Sequence, residues 1–188
     1  MPMPQAQAIR PGYLKLKQGI EGTVMAQYHH SRTWAFVFGM LLCWTLPAYA
    51  QAVMGLQVTA SPSHTEPTEL SLETLDAMDQ VTFTTTTIWT DGDVEFSGVP
   101  LKALLDHVEA DGSTVEMVAL NDYAVSMPID ALEDTAPIVA TRMNGETMSV
   151  RDKGPYWVVF PYDSDPKYRT EPIYALSIWQ LNRLKVVD

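Results

Sequence analysis

A single cysteine, Cys43, stands among 188 residues and has nothing to pair with. An intramolecular disulfide framework, a Cys-rich zinc site and a CxxC redox motif are therefore excluded. Basic residues are also scarce. Twelve Lys and Arg face 23 Asp and Glu, a formal net charge of −11. Nucleic-acid binding needs a basic surface to displace counterions from phosphates, so that class of partner is excluded. No G-x-x-x-x-G-K-[ST] or G-x-G-x-x-G phosphate cradle occurs, and no G-x-S-x-G elbow presents a nucleophilic serine. What is present, 46% hydrophobic residues with 13 Pro and 10 Gly, is the composition of a folded globular domain.

One apolar run stands apart, the 13 residues Trp34–Leu46. It follows His29, His30 and Arg32 and ends in Pro47-Ala48-Tyr49-Ala50. A positive n-region, a short apolar h-region and an A-x-A site describe a secretory signal peptide. The run falls short of the about 20 residues that span a bilayer. A buried core helix would leave the A-Y-A ending as a coincidence; an uncleaved anchor is the other alternative. A start at Met25 makes the signal Met25–Ala50, of ordinary length, and residues 1–24 are then expected to be a mis-called start without a structural role. The mature chain, residues 51–188, is expected to be one periplasmic or secreted domain with no membrane span. It carries 8 basic and 22 acidic residues, net −14, and no cysteine.

Within that domain, residues 61–69 lack apolar periodicity and read as a loop. Ser71 is placed to cap a short helix bearing Leu72, Leu75 and Met78 on one face. Val81–Thr87, β-branched and aromatic, reads as a strand. Pro100–Glu109 reads as the clearest helix, with Pro100 at its first position and Leu101, Leu104, Leu105 and Val108 on one face. Val115–Leu120 and Tyr123–Met127 read as strands around an Asn121-Asp122 turn. Ile138–Met143 and Glu146–Met148 read as a hairpin around Asn144-Gly145. Val158–Phe160 is a buried-type strand stopped by Pro161, and Leu176–Val187 is a last helical turn or strand. The fold class is α+β, a compact mixed sheet with short helices.

No nucleophile–base pair is visible, so no catalytic residue is assigned. His64 falls in the loop and His107 on the Pro100 helix, where a solvated histidine is the ordinary outcome. Asp91, Asp93 and Glu95 place carboxylates at alternate positions but lack the rest of an EF-hand loop, so they read as a solvated turn and no metal ligand is assigned. Two polar tracts hold more interest. Thr84–Thr90 brings the Thr86 and Thr87 hydroxyls beside Trp89. Arg151–Trp157 concentrates Arg151, Lys153 and Trp157 in an otherwise acidic chain. With Tyr123, these are the candidate ligand-binding residues, suited to a small anion or a heterocycle, with cations to neutralise and rings to stack.

Five segments in order resemble a known family: Thr82–Trp89, Phe96–Leu105, Asn121–Pro128, Asn144-Gly145 and Gly154–Pro161. They resemble the sulfite-oxidase-type molybdopterin-binding fold, and most of all its small single-domain exported bacterial forms, over about Leu70 to Val187. The resemblance implies a molybdopterin cofactor and, in catalytic members, a cysteine thiolate on molybdenum just after the threonine-bearing strand. The matching stretch here, Thr86–Trp89, has no cysteine, and a hydroxyl is a far weaker ligand for such a metal. The family's G-x-P-x-R arginine falls on Trp157, and a lysine of catalytic members falls on Ile178. Arg151 and Lys153 are the cations available in their place. Loaded enzymes of this fold generally leave the cytoplasm folded, behind a twin arginine, whereas this leader has Arg32 alone.

The expected function is therefore a non-catalytic exported domain that keeps a ligand pocket, an accessory or sensory protein. The alternatives are a molybdopterin-dependent oxidoreductase with atypical ligands, and a structural or interaction module without ligand. Expressed behind its own leader, the protein is expected in the periplasm or the medium with Gln51 as its first residue by N-terminal sequencing.

Overall fold

The computed structural model describes residues 54–63 and 66–188. The expected leader, and His64, lie outside the described residues.

The longest strand organises the sheet. β10 (Trp179–Val187) pairs along one edge with β5 (Thr114–Ala119), antiparallel from Leu181↔Ala119 to Val187↔Thr114. Its other edge is shared. The first residues of β10 run antiparallel to β9 (Tyr156–Val159), and the later ones run parallel to β1 (Leu56–Thr59). The remaining strands are β2 (Thr68–Leu70), β3 (Val81–Thr85), β4 (Val94–Pro100), β6 (Ala124–Pro128), β7 (Ile138–Met143) and β8 (Glu146–Thr147). From the branch point the sheet extends in the order β2-β1-β10-β9-β7-β4-β3, with β6 beside β5 and β8 folded back on β7. Three short helices complete an α+β fold: α1 (Leu72–Asp76), α2 (Leu101–His107) and α3 (Glu171–Leu176).

Local chemistry explains most of these elements. Ser71 Oγ accepts the Thr74 N–H at 3.1 Å and starts α1, which buries Leu75. Asn144 and Gly145 both take positive φ, +53° and +81°, as a two-residue hairpin turn between β7 and β8 requires. At the β5–β6 turn Asp122 has φ +64°, and Asn121 Oδ1 accepts the Tyr123 N–H at 3.1 Å. β9 is buried at all four positions, Tyr156, Trp157, Val158 and Val159, because strands cover both of its edges and side chains pack on both faces.

Four expectations need correction. The strand through the threonines stops at Thr85, because the Thr86 N–H turns to the Asp163 carboxylate and is withdrawn from the ladder to β4. The loop expected at 61–69 ends early, since Thr68 and Glu69 pair with Val58 and Gln57 in β2. Pro100 closes β4 and caps α2, and the helix ends at His107 instead of Glu109. Leu176–Val187 is not one element: α3 ends at Leu176 and β10 begins at Trp179. β4 itself, paired to both β3 and β7, went unread because its alternating Val94, Phe96 and inward Gly98 follow directly on an acidic turn.

Gly98 sits where the β4–β7 register shifts, and a Cβ there would collide with the Val139 carbonyl oxygen and the Ala140 backbone. Backbone cannot swing aside as a side chain can. Gly98→Ala is therefore expected to destabilise the fold by about 2 kcal/mol or more, read from the urea midpoint.

Candidate functional site

The Trp89 turn that follows β3, the β5–β6 turn, α3 and the start of β10 meet around one cavity of about 300 Å³. Its lining is Trp89, Ala119, Asn121, Tyr123, Tyr174, Ala175, Ser177, Ile178 and Trp179. Trp89 reaches this place because the chain turns sharply after β3. Thr87 Oγ1 accepts the Trp89 N–H at 3.0 Å and shares a hydrogen bond with Thr90 Oγ1 at 2.8 Å, a local turn that aims the indole inward.

Trp89 is the hub of an aromatic cluster. Its ring lies 5.7 Å from Trp179, 5.8 Å from Tyr174, 5.9 Å from Trp157 and 6.3 Å from Tyr162, each near edge-on. Such edge-to-face pairs are favourable beyond the area they bury. Behind the cavity, Trp157 Nε1 donates to the Ser177 carbonyl at 3.3 Å. The Tyr162 hydroxyl donates to Ser177 Oγ at 2.5 Å, which in turn donates to the Ile173 carbonyl at 2.9 Å. Burial pushes the Tyr162 phenol up to about 12, so it remains a donor throughout the physiological range. The connection from α3 to β10 is held rigidly by this chain of bonds.

The mouth of the cavity is anchored from β10. Arg183 Nη2 binds Asp122 Oδ1 at 2.5 Å, fixing the turn that presents Asn121 and Tyr123. Gln180, next to Trp179, donates its N–H to the Lys153 carbonyl at 2.9 Å and its side-chain amide to the Val150 carbonyl at 2.8 Å. These bonds bring the Arg151–Lys153 turn alongside the start of β10.

The seven candidate residues are distributed unevenly over this arrangement. Trp89 and Tyr123 line the cavity. Trp157 is fully buried one layer behind, in contact with Trp89 and Trp179. Lys153 Nζ sits over the Trp157 ring, 5.6 Å from its centroid, and does not line the cavity. Arg151 is exposed on its turn. The Thr86 and Thr87 hydroxyls are already engaged, Thr87 in the turn above and Thr86 with Asp163 at 2.9 and 3.1 Å. Sequence reasoning missed Asn121, Tyr174 and Trp179 as lining residues. Ring content was the signal for Tyr174 and Trp179, but only the return of β10 beside β5 and β9 brings them to Trp89.

Donor chemistry decides what this cavity can hold. Molybdenum in a pterin dithiolene calls for a soft protein thiolate, and the pterin phosphate calls for cations. The described residues include no cysteine, and no Lys, Arg or His lines the cavity. Among the described residues no group of three or more His, Cys, Asp or Glu converges, the exposed Asp91-Gly92-Asp93 turn included. Among the described residues two buried polar atoms lack partners, Tyr156 Oη and Arg183 Nε, and neither residue lines the cavity. The lining does not fit a molybdenum–pterin group.

Comparison with known proteins places the chain. Residues 51–163 match the oxidoreductase molybdopterin binding domain, and the chain belongs to that family. No curated protein matches the sequence. Among solved structures, the sulfane dehydrogenase SoxCD from Paracoccus pantotrophus shares the fold, with TM-score 0.52 and 18% identity over 72% of this chain. The match spans only 38% of that larger chain.

Asp163 supplies the test of how the Thr86 turn is held. The Thr86 N–H, then the Thr86 and Thr85 hydroxyls, with Arg169 adding to them, hold its carboxyl below the ordinary value of 3.8. A carboxyl depressed on folding stabilises above its unfolded pKa and loses that contribution as pH falls through the lower folded value. Asp163→Asn is therefore expected to melt at a lower temperature than the parent at pH 7. The gap should narrow below about pH 4 in a thermal-melt series.

Proposed function

We propose, from membership in the molybdopterin-binding oxidoreductase family, that this chain is an exported member that binds a small ligand and carries out no molybdenum chemistry. In this reading it serves as an accessory or sensory protein, periplasmic or secreted. The observation that carries the reading is the cavity at the end of β3, lined by four aromatic rings and by neither a thiolate nor a cation. Where catalytic relatives of this fold are expected to offer a metal ligand, Thr86 and Thr87 offer only hydroxyls, and both are hydrogen-bonded within the protein. The leader, with its lone Arg32, supports export of an unfolded chain that has not been loaded in the cytoplasm.

Convergence favours ligand binding over a purely structural role. A concave site of about 300 Å³ with aromatic walls and a few polar atoms at its mouth is the usual form of a small-molecule pocket. A domain that filled the site with its own side chains would leave no such space.

Elemental analysis of the protein exported by its own leader tests this reading. Less than about 0.1 molybdenum per chain is expected, an order of magnitude below a loaded single site, with no fluorescent pterin released on denaturation. Stoichiometric molybdenum with released pterin would show an enzyme with an atypical ligand set.

A further inference from the structure

None of the nine residues lining the cavity is charged, and four of them are aromatic: Trp89, Tyr123, Tyr174 and Trp179. The arrangement of the rings narrows what can enter. Trp179 and Tyr174 stand at 69° and 86° to the Trp89 ring, with centroids 5.7 and 5.8 Å away. A flat heterocycle is gripped best between two parallel faces. Rings turned at steep angles to Trp89 present faces in more than one direction, as a cage around a globular group requires. The volume, about 300 Å³, is at the lower end for ligand sites, so that group belongs to a small molecule.

Charge selects among globular groups. The face of an aromatic ring is electron-rich, and it draws a weakly hydrated cation more strongly than a neutral group of the same shape. The chain as a whole carries a formal charge of −11, which raises the local concentration of cations. Lys153 Nζ lies over Trp157, outside the lining, so no side-chain cation occupies the rings that face the cavity. At the mouth, Asn121 Oδ1 is occupied by the Tyr123 N–H, which leaves the amide NH₂ as a donor. That donor suits a hydroxyl or carboxylate on the ligand's tail.

We propose, resting on the ligand-binding reading above, that the Trp89–Trp179 cavity takes a small quaternary ammonium compound, its methylated head in the aromatic cage and its polar tail at Asn121.

Choline and its neutral isostere 3,3-dimethyl-1-butanol, each titrated against the exported protein by calorimetry and tryptophan fluorescence, test the assignment. Choline is expected to bind about tenfold or more tightly than the isostere. Trp179→Ala and Tyr123→Ala are each expected to weaken choline about tenfold, Tyr123→Ala while melting close to the parent. Tyr123 is 54% exposed, so shortening it does not hollow the core. Equal affinity for the isostere, no binding of choline, or choline binding untouched by both variants would overturn the assignment. Failures of the two proposals separate cleanly. If choline does not bind but free pterin does, the cavity is a ligand site for a planar molecule and only the ammonium assignment falls. If neither binds and the protein carries stoichiometric molybdenum, the ligand-binding reading falls as well.

Discussion

The contacts of Trp89 with four other aromatic rings join parts of the chain that are far apart in sequence. Through Trp157 the indole touches β9, through Tyr162 the segment that follows β9, through Tyr174 α3, and through Trp179 the first residue of β10. Each of these elements has a separate backbone reason for its position, and the cluster is where the reasons meet. β9 is fixed by its pairing with β7 and β10. The end of β3 is fixed by Asp163, whose carboxylate collects the Thr86 N–H and the Thr85 and Thr86 hydroxyls. The cavity is the space these constraints leave between rings that cannot all lie flat on one another.

The same geometry explains the character of the site. Side chains around it spend their hydrogen-bonding capacity on the protein: Ser177 on Tyr162 and Ile173, Thr87 on Thr90 and Trp89, Trp157 on Ser177. What faces the cavity is mostly ring surface, with the Asn121 amide at the mouth. Positive charge is held one step away, Lys153 over Trp157 and Arg183 on Asp122. On the reading proposed here, a fold shared with molybdopterin enzymes has kept its scaffold while its pocket has become aromatic and uncharged.

Much of the scaffold was legible in the sequence. The Ser71 cap, the Asn144-Gly145 and Asn121-Asp122 turns and the Leu101/Leu104/Leu105 helix face are local signals, decided within a few residues, and each lies where its chemistry directs. Elements decided by distant partners were harder to read. The end of β3 depends on Asp163, some eighty positions away, and β2 exists only because Thr68–Leu70 finds β1. The site divides along the same line. Trp89 and Tyr123 stood out as aromatics next to polar tracts, but Trp179 and Tyr174 join them only through the pairing of β10 with β5 and β9. Trp157 shows the converse: a tryptophan beside Arg151 and Lys153 suggests a stacking surface, yet β9 is covered on both faces and draws it into the core.

A crystal of the exported protein, with diffraction recorded on both sides of the molybdenum absorption edge, puts the central claim to its most direct test. No anomalous peak is expected near the Thr86–Trp89 turn, and the cavity bounded by Trp89, Tyr174 and Trp179 is expected to hold only light atoms. A strong anomalous peak within bonding distance of a Thr86 or Thr87 oxygen would contradict it.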